Sequence, residues 1–397
     1  MVFSKTSLRF VFLSGLLGVS AGATAQNVQN TITTAVPILT LSPDSRSAAL
    51  GEAGVAISPD ANSAYYNAGK LGFVTNKYSV SPSYTPWLRT ITDDMGLAYL
   101  SGYSKLGQRS AIAASLMYFD LGSISLRGNQ NQLLGDFNPK EYAVSISYGQ
   151  KLSDNFGVGI SVRYIRSNLT GNLSTDAKPG NAAAVDLGAY YNKDLTIGAG
   201  EYNLGLGASL SNIGTKITYT DPQQADFLPT NLKLGTAIMR ELDAYNKLTF
   251  TVDANKLLVP TPYYIEGVAP NDQRIIDKNR EIANKSVVSA MLGSFNDAPG
   301  GFKEELREIN LSAGLEYWYN DLLAVRAGYF YENQYKGDRQ YLSFGAGIRY
   351  QVFGVDGAYL VPNSRQNPLA QTIRVSLHFN FNKLEEAFGP SDSNSTN

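Results

Sequence analysis

The chain has 397 residues, of which 17% are charged and 43% hydrophobic, with a formal net charge of −1, so it offers no basic field to hold nucleic acid. It has no cysteine, which excludes disulfides, Fe–S clusters and cysteine-ligated zinc. Its one histidine excludes a multi-histidine metal centre and leaves little for a Ser-His-Asp triad, so neither a metal nor a cofactor is expected.

Lys5 and Arg9 precede the apolar run Phe10–Val19, and Ala23-Thr24-Ala25 fits the small-residue pattern at which leaders are cut. Residues 1–25 therefore read as a signal peptide. The mature chain has no later apolar run of about 18 residues, so helical membrane spans are excluded. Residues 26–73 are rich in small and turn residues. Two readings stand for them: a plug inside a barrel, or a periplasmic linker. As a plug, the segment would use Asp44, Arg46, Asp60, Asn62 and Asn67 as polar contacts.

From Thr75 onward the sequence alternates with period two in segments of about ten residues. The predicted strands are 75–84, 94–104, 109–120, 140–151, 155–167, 182–192, 203–213, 231–240, 246–257, 307–318, 322–333, 340–350, 352–360 and 371–381. In Asn310–Trp318, for example, Leu311, Ala313, Leu315 and Tyr317 oppose Ser312, Gly314 and Glu316. One face is aliphatic with aromatic ends. The other carries Gly, Ser and Thr with the charges Arg163, Asp186, Asp253, Glu316, Arg326, Arg349 and Arg374. A β-sandwich also buries one face, but strand length and end-placed aromatics favour a membrane barrel. The expected fold is all-β: a 14-stranded antiparallel transmembrane β-barrel over residues 74–382. The lumenal charges mark a polar path or pair with each other and the plug; both signs are present, which favours pairing. His378, on the last strand, faces the lumen and reads as a hydrogen-bonded interior residue.

Short links (Leu106–Gln108, Ser153–Asp154, Asn320–Asp321) alternate with long ones (Leu121–Pro139, Ser167–Gly180, Gly214–Thr230, Leu258–Leu306). Barrels of this class put short turns in the periplasm and long loops outside. Both termini are then expected in the periplasm, with 383–397 as a polar tail there. The long extracellular loop, 258–306, contains a helix-compatible run near Asp277–Leu292. Leu257, Leu258, Val259, Tyr263, Tyr264, Val287, Val288, Met291, Leu292 and Phe295 make it too apolar for a solvated loop. It reads as a docking surface or lid, or as apolar residues packed on each other over the rim.

The segments Ser42–Ala56 and Ser58–Ser63, Asp253-Ala-Asn-Lys-Leu-Leu-Val-Pro-Thr-Pro262, and Phe295-Asn-Asp-Ala-Pro-Gly-Gly-Phe-Lys-Glu-Glu-Leu306 resemble the PorV (LptO) family. Members of that family are FadL-like outer-membrane proteins of the type IX secretion system. Many FadL-like barrels have Asn-Pro-Ala before a leucine, whereas this chain reads Asn67-Ala68-Gly69-Lys70-Leu71, which weakens a fatty-acid-channel reading. The resemblance implies an outer-membrane, non-enzymatic cargo shuttle. Its partners would be the translocon barrel, the C-terminal signal domains of cargo, a surface sortase and attachment complex, and outer-membrane lipid with lipopolysaccharide. Leu258, Val259, Tyr263, Tyr264, Phe295 and Phe302 are the candidate contacts. Two competing functions are a FadL-like channel for hydrophobic small molecules, which needs an apolar lumen, and a lipopolysaccharide deacylase, which needs a nucleophile and base on the rim.

Overall fold

A computed structural model of the chain describes residues 30–89, 92–127, 130–169, 178–220, 225–363 and 372–382; the expected signal peptide and the tail 383–397 lie outside them. Fourteen strands close into one antiparallel barrel. They are β1 (Tyr78–Pro86), β2 (Met95–Lys105), β3 (Ser110–Leu121), β6 (Lys140–Lys151), β7 (Phe156–Asn168), β8 (Gly180–Ile197), β9 (Gly200–Gly214), β10 (Asn231–Glu241), β11 (Asn246–Leu257), β12 (Ile309–Tyr319), β13 (Leu323–Tyr331), β14 (Gln340–Tyr350), β15 (Phe353–Pro362) and β16 (Ile373–Phe381). A separate hairpin, β4 (Ile124–Arg127) with β5 (Leu133–Phe137), stands on the β3–β6 connection. β1 closes the ring on β16, Tyr78 opposite Phe381 and Tyr84 opposite Val375.

Alternation decides which face meets lipid. Leu311, Leu315, Val325, Phe344 and Val375 are exposed outward, while Ser312, Glu316, Arg326, Ser343 and Arg374 are buried inward. Phe156, Tyr245, Tyr319, Tyr350 and Phe353 are exposed near the short-turn end, and Tyr84, Tyr164 and Tyr359 toward the other. These are the two aromatic girdles that bracket a barrel's apolar band. Long connections all leave one end, which is therefore the outer one.

The strand parity counts only from β1, and here it misplaces the N-terminal side. Asn30 N donates to Tyr335 O on the β13–β14 connection, and Ala35 N donates to Phe227 O on the β9–β10 connection, each at 3.0 Å. Both partners sit at the outer end. The segment then descends through the lumen and reaches the inner rim, where Gly72 packs against the Gln150–Lys151 backbone. So the expectation of a periplasmic N-terminal side is corrected: only β1 and β16 have their chain-end sides there. A lumenal traverse adds one crossing that alternation cannot register.

Two further departures have local causes. β8 and β9 extend beyond the predicted 182–192 and 203–213 to a tight turn at Gly198, which has φ 64°. The helix predicted near Asp277–Leu292 divides into α3 (Gln273–Ala283) and α4 (Val287–Gly293), because Ser286 caps a new helix by accepting from Ser289 N. A third helix, α5 (Phe302–Arg307), leads into β12.

Candidate functional site

The barrel wall is shaped to its N-terminal filling. Glycine replaces larger inward residues where that segment touches the strands: a Cβ at Gly159 would lie 2.3 Å from the Ala68 carbonyl carbon, and one at Gly328 would lie 2.1 Å from Gly51 N. The filling is short and irregular, so its polar groups find partners on the wall. Asp44 caps the helix α1 (Ser45–Ala49) at Ser47 N and accepts from the Tyr66 hydroxyl at 2.6 Å. Asn62 accepts from the Ser101 hydroxyl at 2.6 Å, and Asn67 donates to Ala189 O at 2.8 Å.

Arg46 makes the central contact. It donates to both Glu316 oxygens, at 2.9 and 2.8 Å, and to Asp60 Oδ2 at 2.9 Å. Glu316 also accepts from Arg326 Nε at 2.6 Å; Arg326 reaches Asp356 at 2.9 Å, and Arg349 reaches it at 2.5 Å. His378 Nε2 lies 2.8 Å from the same aspartate. Arg163 pairs with Asp186 at 2.7 Å. Asp253 accepts from the Gly54 and Val55 amides at 2.8 and 3.0 Å, and Arg374 donates to Ser42 O. Every lumenal charge named from the sequence thus contacts the wall or the filling, with Asp253 Oδ1 and Arg374 Nε and Nη2 left without a hydrogen bond. Asp356, which ties Arg326 and Arg349 together, was missed; its inward register opposite Gly347 was the available signal.

The second cluster sits at the outer rim and was not foreseen. Lys256 Nζ lies 2.9 Å from Glu305 and 2.5 Å from Glu308, while Lys336 Nζ lies 2.5 Å from Glu304 and 2.9 Å from Glu308. Thr261 Oγ1 donates to Glu308 at 2.6 Å, and Glu305 accepts from the Asp297 and Ala298 amides. Three carboxylates and two ammonium groups, all buried, therefore fold the connection Leu258–Glu308 onto the rim. Burial pushes the Glu304 carboxyl up, but Lys336, the Asn30 amide and Gly300 N–H outweigh it and hold it below the usual carboxylate range.

That connection sorts the candidate contacts. Leu258 and Val259 are buried, so they serve packing and are not offered to a partner. Tyr263 and Tyr264 are half-buried; Asn279 brackets the Tyr263 backbone. Phe295 and Phe302 are open to solvent at 49% and 74% exposure. Val288 and Leu292 on α4, and Leu306 one turn beyond Phe302 on α5, are exposed too. Their i, i+4 spacing was the available signal for the last of these.

Two cavities flank the filling, the outer with a mixed polar and apolar lining and the inner with a mainly polar one. The outer one, about 430 Å³, is lined by Thr31, Thr33, Asn255, Glu332 and Arg339 among others. The inner one, about 590 Å³, is lined by Arg46, Asp60, Lys247, Trp318 and His378 among others. No helix among the described residues is long and apolar enough to cross a membrane, and they contain no cluster of three acidic or histidine residues suited to a metal.

A family model described as type IX secretion system protein PorV matches residues 24–264. A search of curated proteins finds no match. Among solved structures, the toluene transporter TbuX of Ralstonia pickettii aligns over 85% of this chain and 98% of its own, at 11% identity and TM-score 0.45. The Pseudomonas putida toluene transporter TodX aligns over 85% and 97%, at 12% identity and TM-score 0.46. A Pseudomonas aeruginosa FadL homologue aligns over 89% and 100%, at 10% identity and TM-score 0.42.

Proposed function

The chain belongs to the PorV family of type IX secretion system proteins, an outer-membrane β-barrel of that system, and we propose that it acts as a non-enzymatic docking barrel for exported cargo. In this reading it takes the C-terminal signal domain of cargo from the translocon barrel and passes it to the cell-surface sortase and attachment complex. The observation that carries the reading is the Leu258–Glu308 connection. Buried ion pairs hold it folded, yet it turns Phe295 and Phe302 to water. Exposed aromatics on a rigid frame are what a partner surface uses as anchors. The polar filling, threaded from outer to inner rim and bound to the wall by Arg46, counts against a channel for hydrophobic molecules, which needs a continuous apolar path. His378, committed to Asp356 inside the barrel, counts against a rim-located hydrolase. Contacts with lipopolysaccharide belong to this proposal through the attachment complex.

The test is binding of a purified cargo signal domain to the detergent-solubilised barrel. The double variant Phe295→Ser/Phe302→Ser should weaken binding tenfold or more, because loss of two central aromatic anchors costs about 2 kcal/mol or more. Its heat-modifiable gel mobility should not change, since both rings are exposed. Unaltered binding by the double variant sinks this assignment of the surface.

A further inference from the structure

Three of the connections at the outer face belong to different strand pairs, and one short piece of chain touches all three. Asn30 N donates to Tyr335 O on the β13–β14 connection at 3.0 Å. Asn30 Nδ2 donates to Pro262 O and to Glu304 Oε1 on the β11–β12 connection, each at 3.0 Å. Five residues on, Ala35 N donates to Phe227 O on the β9–β10 connection at 3.0 Å. Between these anchors Thr31 and Thr33 are exposed, on the wall of the outer cavity.

We infer that Asn30–Ala35 is a strap, delivered to the cell-surface face through the lumen, that latches the Leu258–Glu308 connection in place through Glu304. The buried node explains why Asn30 is the anchor. Glu304 shares the Lys336 ammonium with Glu308, so one cation serves two carboxylates. A carboxylate buried with half a cation needs further donors. Gly300 N supplies one at 2.7 Å, the Asn30 amide a second at 3.0 Å, and the Tyr264 hydroxyl a longer third at 3.5 Å. The amide is neutral, so it completes the node without changing its charge. It also joins the lumenal filling to the outer connection, so the two move as one body. The inference concerns what positions this surface, and it holds whether or not cargo signal domains are what the surface binds.

The chain lacks cysteine, so single-cysteine variants report position without background. Thr31→Cys should react with a membrane-impermeant maleimide on intact cells. Ala199→Cys, in the exposed β8–β9 turn at the opposite end, should react only after the outer membrane is permeabilised. Asn30→Ala should raise the rate at which surface-added trypsin cuts the exposed Lys278–Arg280 region of α3 several-fold, with heat-modifiable mobility of the barrel retained. Lys336→Ala should do the same through the other side of the node. Protection of Thr31→Cys on intact cells, with labelling after permeabilisation, would overturn the threading. Unchanged trypsin sensitivity in Asn30→Ala, with Thr31→Cys labelled, would overturn the latch alone.

Discussion

Arg326 is fully buried between Glu316 and Asp356, and Arg46 closes the other side of Glu316. Removing one member of such a chain strands its neighbours in a medium that solvates charge poorly, at about 3–5 kcal/mol for a buried pair. Arg326→Met should therefore lower the temperature at which the folded barrel converts to the unfolded gel species, by more than Lys247→Met, whose partner Asp321 is exposed. Gly328 tests the fit differently. Alanine there would drive a methyl group into the Leu50–Gly51 backbone, so Gly328→Ala should destabilise by about 1–3 kcal/mol on the same gel. Glu304 sets a pH dependence. Its folded pKa is depressed, so the latch contributes fully above the unfolded glutamate value, about 4.3, and is lost as pH falls through the lower folded value. Hydrogen-exchange protection of α3–α5, taken relative to the intrinsic rate at each pH, should be high at neutral pH and fall on acidification below that value; protection that is flat across this range would contradict the assignment.

At the level of elements, alternation made the barrel strands legible because each separates two solvents, lipid and a polar interior. Ile309–Tyr319 and Gln340–Tyr350 fall within two residues of the predicted spans for that reason. Where both faces meet water the signal fades: the β4–β5 hairpin exposes Ile124 and Leu133 alike and was not predicted. The N-terminal segment has no period, since its conformation is dictated by wall residues far away in sequence, as in the contact of Arg46 with Glu316. Its polar residues were legible as candidates, but its direction was not. The rim node was illegible for the same reason: Lys256, Glu304 and Lys336 lie on three separate stretches of chain. Apolar content alone drew attention to Leu258 and Val259, which are packing residues, whereas exposure singles out Phe295 and Phe302.

For the whole molecule the decisive relation is between strand number and filling. Eight strands leave an interior that side chains can fill, while sixteen to eighteen leave an aqueous channel. Fourteen strands approach the latter, so an unfilled barrel of this size would leak ions. Here the filling is a segment of the same chain, bound at Glu316, Asp253 and Ser376 on three parts of the wall, with a cavity on either side of it. That arrangement suits a protein whose work is on its outer rim and whose barrel is an anchor. The wild-type barrel should then show no steady conductance in a planar bilayer. Deleting residues 30–73 should open a stable pore if the barrel still folds, as judged by heat-modifiable mobility. Arg46→Ala, which leaves the segment in place but frees Glu316, should instead give brief openings. Steady conductance in the wild type would mean that the filling is not a seal, and the barrel would have to be reconsidered as a conduit.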